Sequence, residues 1–554
     1  MATVQNESQI EEKELFDNIA LCISGGGFRA ASFGLGVLSY LNHFKIENDK
    51  SLLQNVSYLS TTSGGSILAA VYMKSLCSRE PFVDFYSKAT KFMKGEIVLE
   101  KALKKLSDYK EWKDTEKSRN LINSFAKVYD DYLDGQTFEE YWKNRSDIHI
   151  KANCYNATEF NTGITFRFQT TDRSLIGNNY VRLTEESAQK LKVADIIAAS
   201  SCFPAGFEPL LYPDDFSTNQ IEKKQLTDGL TISNPYDEKV SPPFALMDGG
   251  ITDNQGIESM MMADGNVKKK KFSFAIIADV SNKYMSPWSS PKRENKDKIS
   301  INRILTILKW VSVPLLLVSL YLLVYQSGEI PKLIGALLLG PSILFTFLWS
   351  KWKSLVESIK NVFDKNDNIS WDKIMRPYLK YFGSLPYNDL KYLIEVRLTS
   401  VAMLAYDIFL KQVRRMRYDE LYESKEWEGR RVSSLIYELN QKNQKFLEEE
   451  ILDKEKKGIY PIGTWELIKP SVELQEAAQY ASEMGTTLWF DEDDEHNNRL
   501  NKLIATGQAT ICFNLLDFVI KAEFKNPSIF LQKLKNDLLA DWARFNNDPL
   551  FLVK

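Results

Sequence analysis

Apolar and polar positions in the N-terminal part of the chain follow the order strand, turn, helix. A short apolar run at residues 18–23 ends in a serine and three glycines, and helical spacing of apolar residues follows from Phe28 to Leu41. The same order returns with an apolar run at 56–59, small residues at 60–65 and an apolar helix at 66–76. This pattern predicts two successive strand, turn and helix units.

Further strand signals predict that these units belong to an α/β fold. Apolar runs typical of strands lie at residues 148–157, 165–170, 244–247 and 272–280. Strands that alternate with helices favour a mainly parallel sheet flanked by helices, which we assign to residues 18–285. Residues 1–17 are predicted to be an acidic lead-in, and the helical spacing within residues 80–145 predicts a helical cap.

The most apolar part of the chain follows a basic stretch at residues 292–298. Two apolar runs, at 304–325 and 333–350, are separated by a short turn and are just long enough to span a bilayer. Basic residues crowd their outer ends, so the positive-inside rule places both ends in the cytoplasm. We therefore expect a membrane-inserted two-helix hairpin. The alternative is a buried helical hairpin or an oligomer interface, so homo-oligomer formation stays open.

Charged sequence with long helical patterns follows the hairpin. We assign residues 286–459 to one helical insertion, and residues 460–554, where globular patterning returns, to a segment that completes the first domain. The basic cluster from Arg414 to Arg417 is expected to be a solvated helix face, with contact to anionic lipid as the alternative.

Composition excludes several classes of protein. The chain has 554 residues, 44% hydrophobic, with a formal net charge of -3 and a mean hydropathy of -0.29, which excludes a disordered chain and a many-spanning membrane protein. The near-neutral charge disfavours a nucleic-acid partner. Five scattered cysteines indicate neither a disulfide framework nor a zinc site. The acidic N-terminus lacks a secretory signal, so we expect a cytoplasmic-membrane protein with its soluble part facing the cytoplasm.

Three short elements carry candidate chemistry. Glycines Gly25 to Gly27, at a strand-to-helix turn, can aim backbone N–H groups at an anion or an oxyanion. Ser63 lies in a second such turn, followed by Gly64, which is typical of an exposed nucleophile. Asp248 ends an apolar strand before two glycines and could point toward both turns. Taken singly, each element also fits an ordinary turn or a helix cap.

A base for Ser63 is not evident among the histidines. The chain has three, His43, His149 and His496, and none follows a strand in a glycine-flanked turn. We therefore predict a dyad in which Asp248 takes the proton directly. Because an ordinary aspartate is a weak base toward an alcohol, this role favours a desolvated carboxylate.

Together these residues resemble the patatin-like phospholipases, serine acyl hydrolases with a Ser/Asp dyad. GGGFR resembles the family's oxyanion loop, TTSGGS its nucleophile elbow and DGG its dyad acid, and similar segments occur at residues 155–163, 198–209 and 485–509. The resemblance implies Ser63 and Asp248 as catalytic residues, and N–H groups of Gly25, Gly26, Gly27 and Gly64 as oxyanion donors. It implies no metal or organic cofactor.

The expected function is that of a membrane-associated lipid acyl hydrolase of the phospholipase A or lysophospholipase type, acting on phospholipid or another acyl-ester lipid. Arg29 is expected either to approach a lipid phosphate or to orient the loop. One alternative is a regulated membrane-degrading effector of bacterial antiphage defence with the same chemistry. Another is a catalytically weak, lipid-binding membrane scaffold. The sequence departs from the family at Thr61, in place of the elbow glycine, and at Gly256, in place of a frequent proline.

Overall fold

The chain divides into two compact units. In the computed structural model the first unit is Met1–Met285 with Phe409–Lys554, and the second is Ser286–Ile408. The described residues are 14–46, 49–113, 116–171, 176–204, 206–218, 221–232, 243–267, 269–281, 288–289, 292, 300–364 and 381–553. Most of the predicted lead-in 1–17 and of the basic stretch 292–298 lies outside the described residues.

One mixed sheet organises the first unit. Its strands are β1 Ile19–Ile23, β2 Val56–Thr62, β3 Ala152–Glu159, β4 Ile164–Gln169, β5 Ile176–Gly177, β6 Val181–Leu183, β7 Leu210–Tyr212, β8 Leu230–Ile232, β9 Phe244–Asp248, β10 Phe274–Asp279 and β11 Arg431–Leu435. The main order is β11-β10-β1-β2-β3-β4-β5-β6-β8, and β9 pairs with β3 and β7. The α/β prediction is thus confirmed.

The parallel part of the sheet is its half from β11 to β3. All four pairings among β11, β10, β1, β2 and β3 are parallel. Beyond β3 the pairings are antiparallel, which the sequence reading of a mainly parallel sheet did not include. The connection from Glu159 to Ile164 is too short for the crossover that a parallel neighbour requires, so β4 turns back.

Helices cover the sheet and form most of the second unit. In chain order they are α1 Gly27–His43, α2 Gly64–Cys77, α3 Phe82–Met93, α4 Ile97–Ser107, α5 Leu121–Tyr132, α6 Glu139–Asn144, α7 Glu185–Gln189, α8 Val193–Ser201, α9 Lys223–Asp228, α10 Gly250–Asp253, α11 Ile257–Ala263, α12 Ile301–Val324, α13 Glu329–Asp364, α14 Tyr387–Ala402, α15 Leu410–Glu423, α16 Gln444–Lys456, α17 Thr464–Ile468, α18 Val472–Ser482, α19 Glu492–His496, α20 Arg499–Lys525 and α21 Ile529–Asn547. Helices α3 to α6 occupy the region predicted as a cap.

Helix α20 joins the end of the chain to its beginning. A Cβ on Gly36 of α1 would lie 2.1 Å from the carbonyl oxygen of Ile504, and one on Gly507 would lie 2.2 Å from that of Phe33. Only glycine permits helices α1 and α20 to approach this closely. The site-bearing helix α1 is therefore held in place by residues that come after the second unit in the chain.

The second unit is shorter than the predicted insertion. The sequence reading extends the insertion to residue 459, whereas the first unit resumes at Phe409. Strand β11 explains the difference, because it pairs in parallel with β10 and so extends the sheet of the first unit. The residues on both sides of this short strand are charged and have helical spacing, so the sequence pattern does not indicate a strand here.

Two helices of the second unit, α12 and α13, lie where the sequence predicts a membrane hairpin. Among the described residues, α20 is the helix long and apolar enough to cross a bilayer, and 89% of its apolar window is buried, as in a core helix. Helix α12 contributes a shorter apolar stretch, Trp310–Val324. Insertion of the hairpin into a membrane therefore remains a prediction.

Candidate active site

The glycine turn after β1 lies against a segment from the far end of the chain. Gly26 and Gly27 have φ values of 143° and 61°, in the region that favours glycine. A Cβ on Gly27 would lie 2.2 Å from the carbonyl oxygen of Thr487. That same oxygen accepts a hydrogen bond of 2.7 Å from the N–H of Phe28. The glycines thus allow the tight backbone conformation of an anion-binding loop, and the contact with Thr487 holds that conformation in place.

Ser63 lies at the sharp turn between β2 and α2. Its φ and ψ are 52° and -120°, a rare backbone conformation for a residue other than glycine. Its N–H donates to Ser200 Oγ at 3.0 Å, so the surrounding structure holds the strained turn. A Cβ on the next residue, Gly64, would lie 1.9 Å from the carbonyl oxygen of Gly27. The serine turn and the glycine turn are therefore in direct contact.

The topology of β9 brings Asp248 to Ser63. Strand β2 pairs with β3 as far as Asn156, opposite Thr62. The antiparallel β9 pairs with the same edge of β3 from the next residue onward, and Asp248 lies opposite Ala157. Strands β2 and β9 consequently meet end to end, and their last residues face each other. The sequence-predicted Ser63 and Asp248 are brought together.

Burial gives Asp248 the character of a base. Its side chain accepts a hydrogen bond of 2.7 Å from the N–H of Gly250. Desolvation raises the pKa of Asp248 from 3.8 to about 6, although the Gly250 N–H and a hydrogen bond with the Ser63 side chain lower it. A carboxylate with a raised pKa is a better proton acceptor near neutral pH. The arrangement can activate a serine hydroxyl without a histidine.

Three of the four predicted oxyanion donors remain available. In the described part of the chain, no backbone hydrogen bond uses the N–H of Gly26, Gly27 or Gly64, and the first N–H groups of a helix have no partner within it. Gly25 differs from the prediction, because its N–H donates to the carbonyl oxygen of Asn254 at 2.9 Å. Gly25 therefore supports the loop, and the N–H groups after it are left for an oxyanion.

Arg29 is directed toward the C-terminal segment. Its Nη1 donates to the carbonyl oxygen of Met484 at 2.7 Å, and its Nη2 to Thr486 Oγ1 at 3.4 Å. Burial lowers the pKa of Arg29 to about 10, partly offset by the charge of Asp279. Of the two roles expected for this residue, these contacts favour orientation of the glycine loop over contact with a lipid phosphate.

The two departures from the family pattern fit the local backbone. Thr61 is a residue of β2, where a Cβ is tolerated, and its hydroxyl lies 3.1 Å from that of Ser66. Gly256 has a φ of 70°, which proline cannot adopt because its ring fixes φ near -65°. Neither departure changes the contact between Ser63 and Asp248.

Two polar side chains to which the sequence alone assigns no role support the site. Ser200 Oγ accepts from the Ser63 N–H and donates to the carbonyl oxygen of Asn156 at 2.6 Å. Asn156 Nδ2 donates to the carbonyl oxygen of Thr61 at 3.0 Å. Both residues lie in segments that resemble the family, and that resemblance was the available signal. Their function depends on contacts between distant strands.

The histidines have other partners. The Nε2 of His43 lies 3.3 Å from Asp541, while His149 contacts Tyr72 and the carbonyl oxygen of Val56. His496 is the last residue of the acidic helix α19. These positions agree with the expectation that Asp248, and not a histidine, faces Ser63.

Part of this chain is similar to a known protein family. Residues 21–261 match the profile of the family described as Patatin-like phospholipase. Among solved structures, human GIVD cytosolic phospholipase A2 is similar with a TM-score of 0.31 and 14% identity, over 50% of this chain and 44% of that chain. The chain thus spans less than half of that structure, and the family assignment rests on the profile. The search of curated proteins found no match. Residues 21–261 therefore form a domain of the patatin-like phospholipase family, whose members are serine acyl hydrolases.

Proposed function

We propose that this protein is a membrane-associated lipid acyl hydrolase of the phospholipase A or lysophospholipase type. The observation that carries the proposal is the end-to-end meeting of β2 and β9, which sets a strained serine against a buried, weakly acidic carboxylate. The available N–H groups of Gly26, Gly27 and Gly64 lie on the two adjoining turns. Nucleophile, base and oxyanion donors are the three parts that acyl transfer requires.

The reaction follows from these roles. Ser63 Oγ attacks the ester carbonyl carbon while Asp248 takes the hydroxyl proton, and the N–H groups stabilise the tetrahedral oxyanion. Asp248 then gives the proton to the departing lipid oxygen, which leaves an acyl group on Ser63. Water attacks this acyl-enzyme, Asp248 accepts one of its protons and returns it to Ser63, and the fatty acid is released.

Release of fatty acid from vesicles tests the substrate class. The purified full chain is incubated with vesicles of phosphatidylcholine and phosphatidylglycerol, with Ser63→Ala as the catalytic blank. We expect fatty acid and lysophospholipid to accumulate in equal amounts at first, because one ester is cleaved per turnover. Labelling of Ser63 by a fluorophosphonate without fatty-acid release from any vesicle or lysolipid would contradict a lipid substrate while leaving the serine chemistry intact.

We also propose that α12 and α13 insert into the membrane as a hairpin. Within the second unit the helices pack closely, since Ser319 Oγ donates to the carbonyl oxygen of Gly335 at 2.8 Å, a small-residue contact that is common between membrane helices. Large apolar side chains point outward, including Leu317 and Leu337, which are 62% and 68% exposed. The 24 residues of α12 span about 36 Å, longer than a hydrocarbon core of about 30 Å. By the positive-inside rule the catalytic unit would face the cytoplasm.

Alkaline carbonate extraction of membranes tests the hairpin. We expect the wild-type protein in the membrane pellet and a Leu317→Arg/Leu337→Arg variant in the supernatant, because two buried charges oppose insertion. The matched control is Leu398→Arg/Val401→Arg on α14, where the side chains are equally exposed at 66% and 61%. This control should remain in the pellet. A wild-type protein released by carbonate would contradict the proposal.

A further inference from the structure

Helix α15 follows the second unit directly and carries the basic cluster that the sequence reading assigns to a solvated face. Arg414 and Arg417, three residues apart, lie on one face of the helix. Their side chains are only 12% and 19% exposed, whereas Arg415 between them is exposed. Two of the three arginines are therefore turned into the catalytic unit.

Arg414 binds the carboxylate that ends β10. Its Nε donates to Asp279 Oδ2 at 2.7 Å, and the Tyr418 hydroxyl donates to the same oxygen at 3.1 Å. Asp279 is fully buried. Burial raises the pKa of Asp279, but the charge of Arg414 and the hydrogen bonds from Arg414 and Ser281 together hold the pKa below its ordinary value. The ion pair is charged at neutral pH, and removing one partner would leave a buried charge alone.

From Asp279 a chain of hydrogen bonds reaches the glycine turn. Asp279 Oδ1 accepts from the Ser281 N–H at 2.8 Å, and Ser281 Oγ accepts from Asn254 Nδ2 at 3.0 Å. The carbonyl oxygen of Asn254 accepts from the N–H of Gly25. Arg414 is thus connected to the oxyanion loop by a series of hydrogen bonds through Asp279, Ser281 and Asn254.

Arg417 contacts the turn that follows the dyad acid, Asp248. Its Nε donates to the carbonyl oxygen of Thr252, in the short helix after Asp248, at 3.3 Å, and its Nη2 donates to Glu258 at 2.8 Å. The Thr252 hydroxyl lies 3.1 Å from that of Thr158, which donates to the carbonyl oxygen of Asp248 at 2.8 Å. Both the oxyanion loop and the dyad acid are therefore connected to one helix.

We propose that Arg414 and Arg417 are positioning residues, which hold the oxyanion loop and the Asp248 turn in register with each other. The inference rests on the proposed function, because it assigns these arginines a role in the same site. Neither arginine touches the reacting atoms. Their effect is on the relative placement of two turns, where an error of about 1 Å can cost about a hundredfold in rate.

The test compares Arg414→Met with Arg415→Met, a neighbour on the same helix that faces solvent. The kcat and the KM are measured on a water-soluble p-nitrophenyl ester. The concentration of active sites is titrated with fluorophosphonate, so that kcat is given per active site. The melting temperature of each variant is measured separately. We expect Arg414→Met to lower kcat by about tenfold to a hundredfold with little change in KM. We expect Arg414→Lys to recover part of the loss, and Arg415→Met to match the wild type.

A second variant keeps the test decisive if Arg414→Met does not fold. Arg417→Met leaves Glu258 paired with Arg167 at 2.8 Å, and the buried Asp253 keeps its hydrogen bonds from the N–H groups of Ile257 and Ser259. We expect about a tenfold loss of kcat. A wild-type kcat per titrated site in the folded variants, even with a lower melting temperature, would overturn the positioning role. A wild-type enzyme that neither labels nor turns over would instead overturn the proposed function, and the inference with it.

Discussion

Ser63→Ala is expected to abolish fluorophosphonate labelling and to lower ester hydrolysis by a factor on the order of 10⁶, or to background. The loss should be this large because Ser63 supplies the atom that forms the acyl-enzyme, and no other hydroxyl occupies the strained turn facing Asp248 in the described part of the site. Gel fluorescence of the probe and the rate of ester hydrolysis measure the two effects.

The control for this change is Ser78→Ala at the opposite end of the same helix, where the serine is exposed. It should label and turn over like the wild type. Probe labelling that persists in Ser63→Ala at the wild-type rate would show that another residue is the nucleophile.

Asp248→Asn is expected to lower kcat by about 10²- to 10⁴-fold, the usual contribution of a general base. An amide of the same shape keeps the packing of the turn but cannot accept the serine proton. Labelling by fluorophosphonate should slow in proportion, since it uses the same activated hydroxyl. An Asp248→Asn variant with wild-type turnover would exclude this carboxylate as the base.

The pH dependence of the wild-type enzyme follows from the same group. The base must be deprotonated, so kcat/KM should rise with pH and level off above the pKa of Asp248, about 6. Desolvation also raises the pKa of Asp253 to about 6, partly offset by Arg417. Asp253 accepts from the N–H groups of Ile257 and Ser259 and does not face Ser63. Asp253→Asn should therefore leave the rise near pH 6 in place.

As pH rises through about 6, the free energy of unfolding should fall while the activity rises. Because the folded-state pKa of Asp248 is raised from 3.8 to about 6, folding favours its protonated form. That contribution is fully present below pH 4 and is lost as pH rises through 6, at a cost of up to about 3 kcal/mol. Asp248→Asn should consequently raise the free energy of unfolding at pH 8, measured by denaturant titration. A lower value would mean that the charged carboxylate stabilises the fold.

Local pattern was enough to predict the two turns of the site. Gly25 to Gly27 and Ser63 each lie between a strand and a helix, and those elements are encoded by neighbouring residues. The signal was sufficient because tight turns need glycine or a strained residue at fixed places. The same reasoning could not show that the Gly25 N–H is used by Asn254, which lies far away in sequence.

The other parts of the site depend on contacts between elements that are far apart in the sequence. The sequence identified Asp248, but its contact with Ser63 depends on an antiparallel β9 that meets the end of β2, whereas the pattern indicated a mainly parallel sheet. Strand β11 was hidden within charged helical sequence, and Arg414 looked like part of a solvated face. In each case the partner is on another element, so side-chain periodicity carries no information about it.

The contact between the glycine turn and the C-terminal segment has a consequence for biosynthesis. Phe28 and Arg29 are held by Thr487 and Met484, and the Arg29 pair is separated by 455 residues. At a synthesis rate of about 5–20 residues per second, Ser63 emerges long before the loop beside it can be fixed. A nascent chain that has not reached residue 487 therefore lacks two of the contacts that hold the glycine turn, and these contacts form only after the second unit has been made.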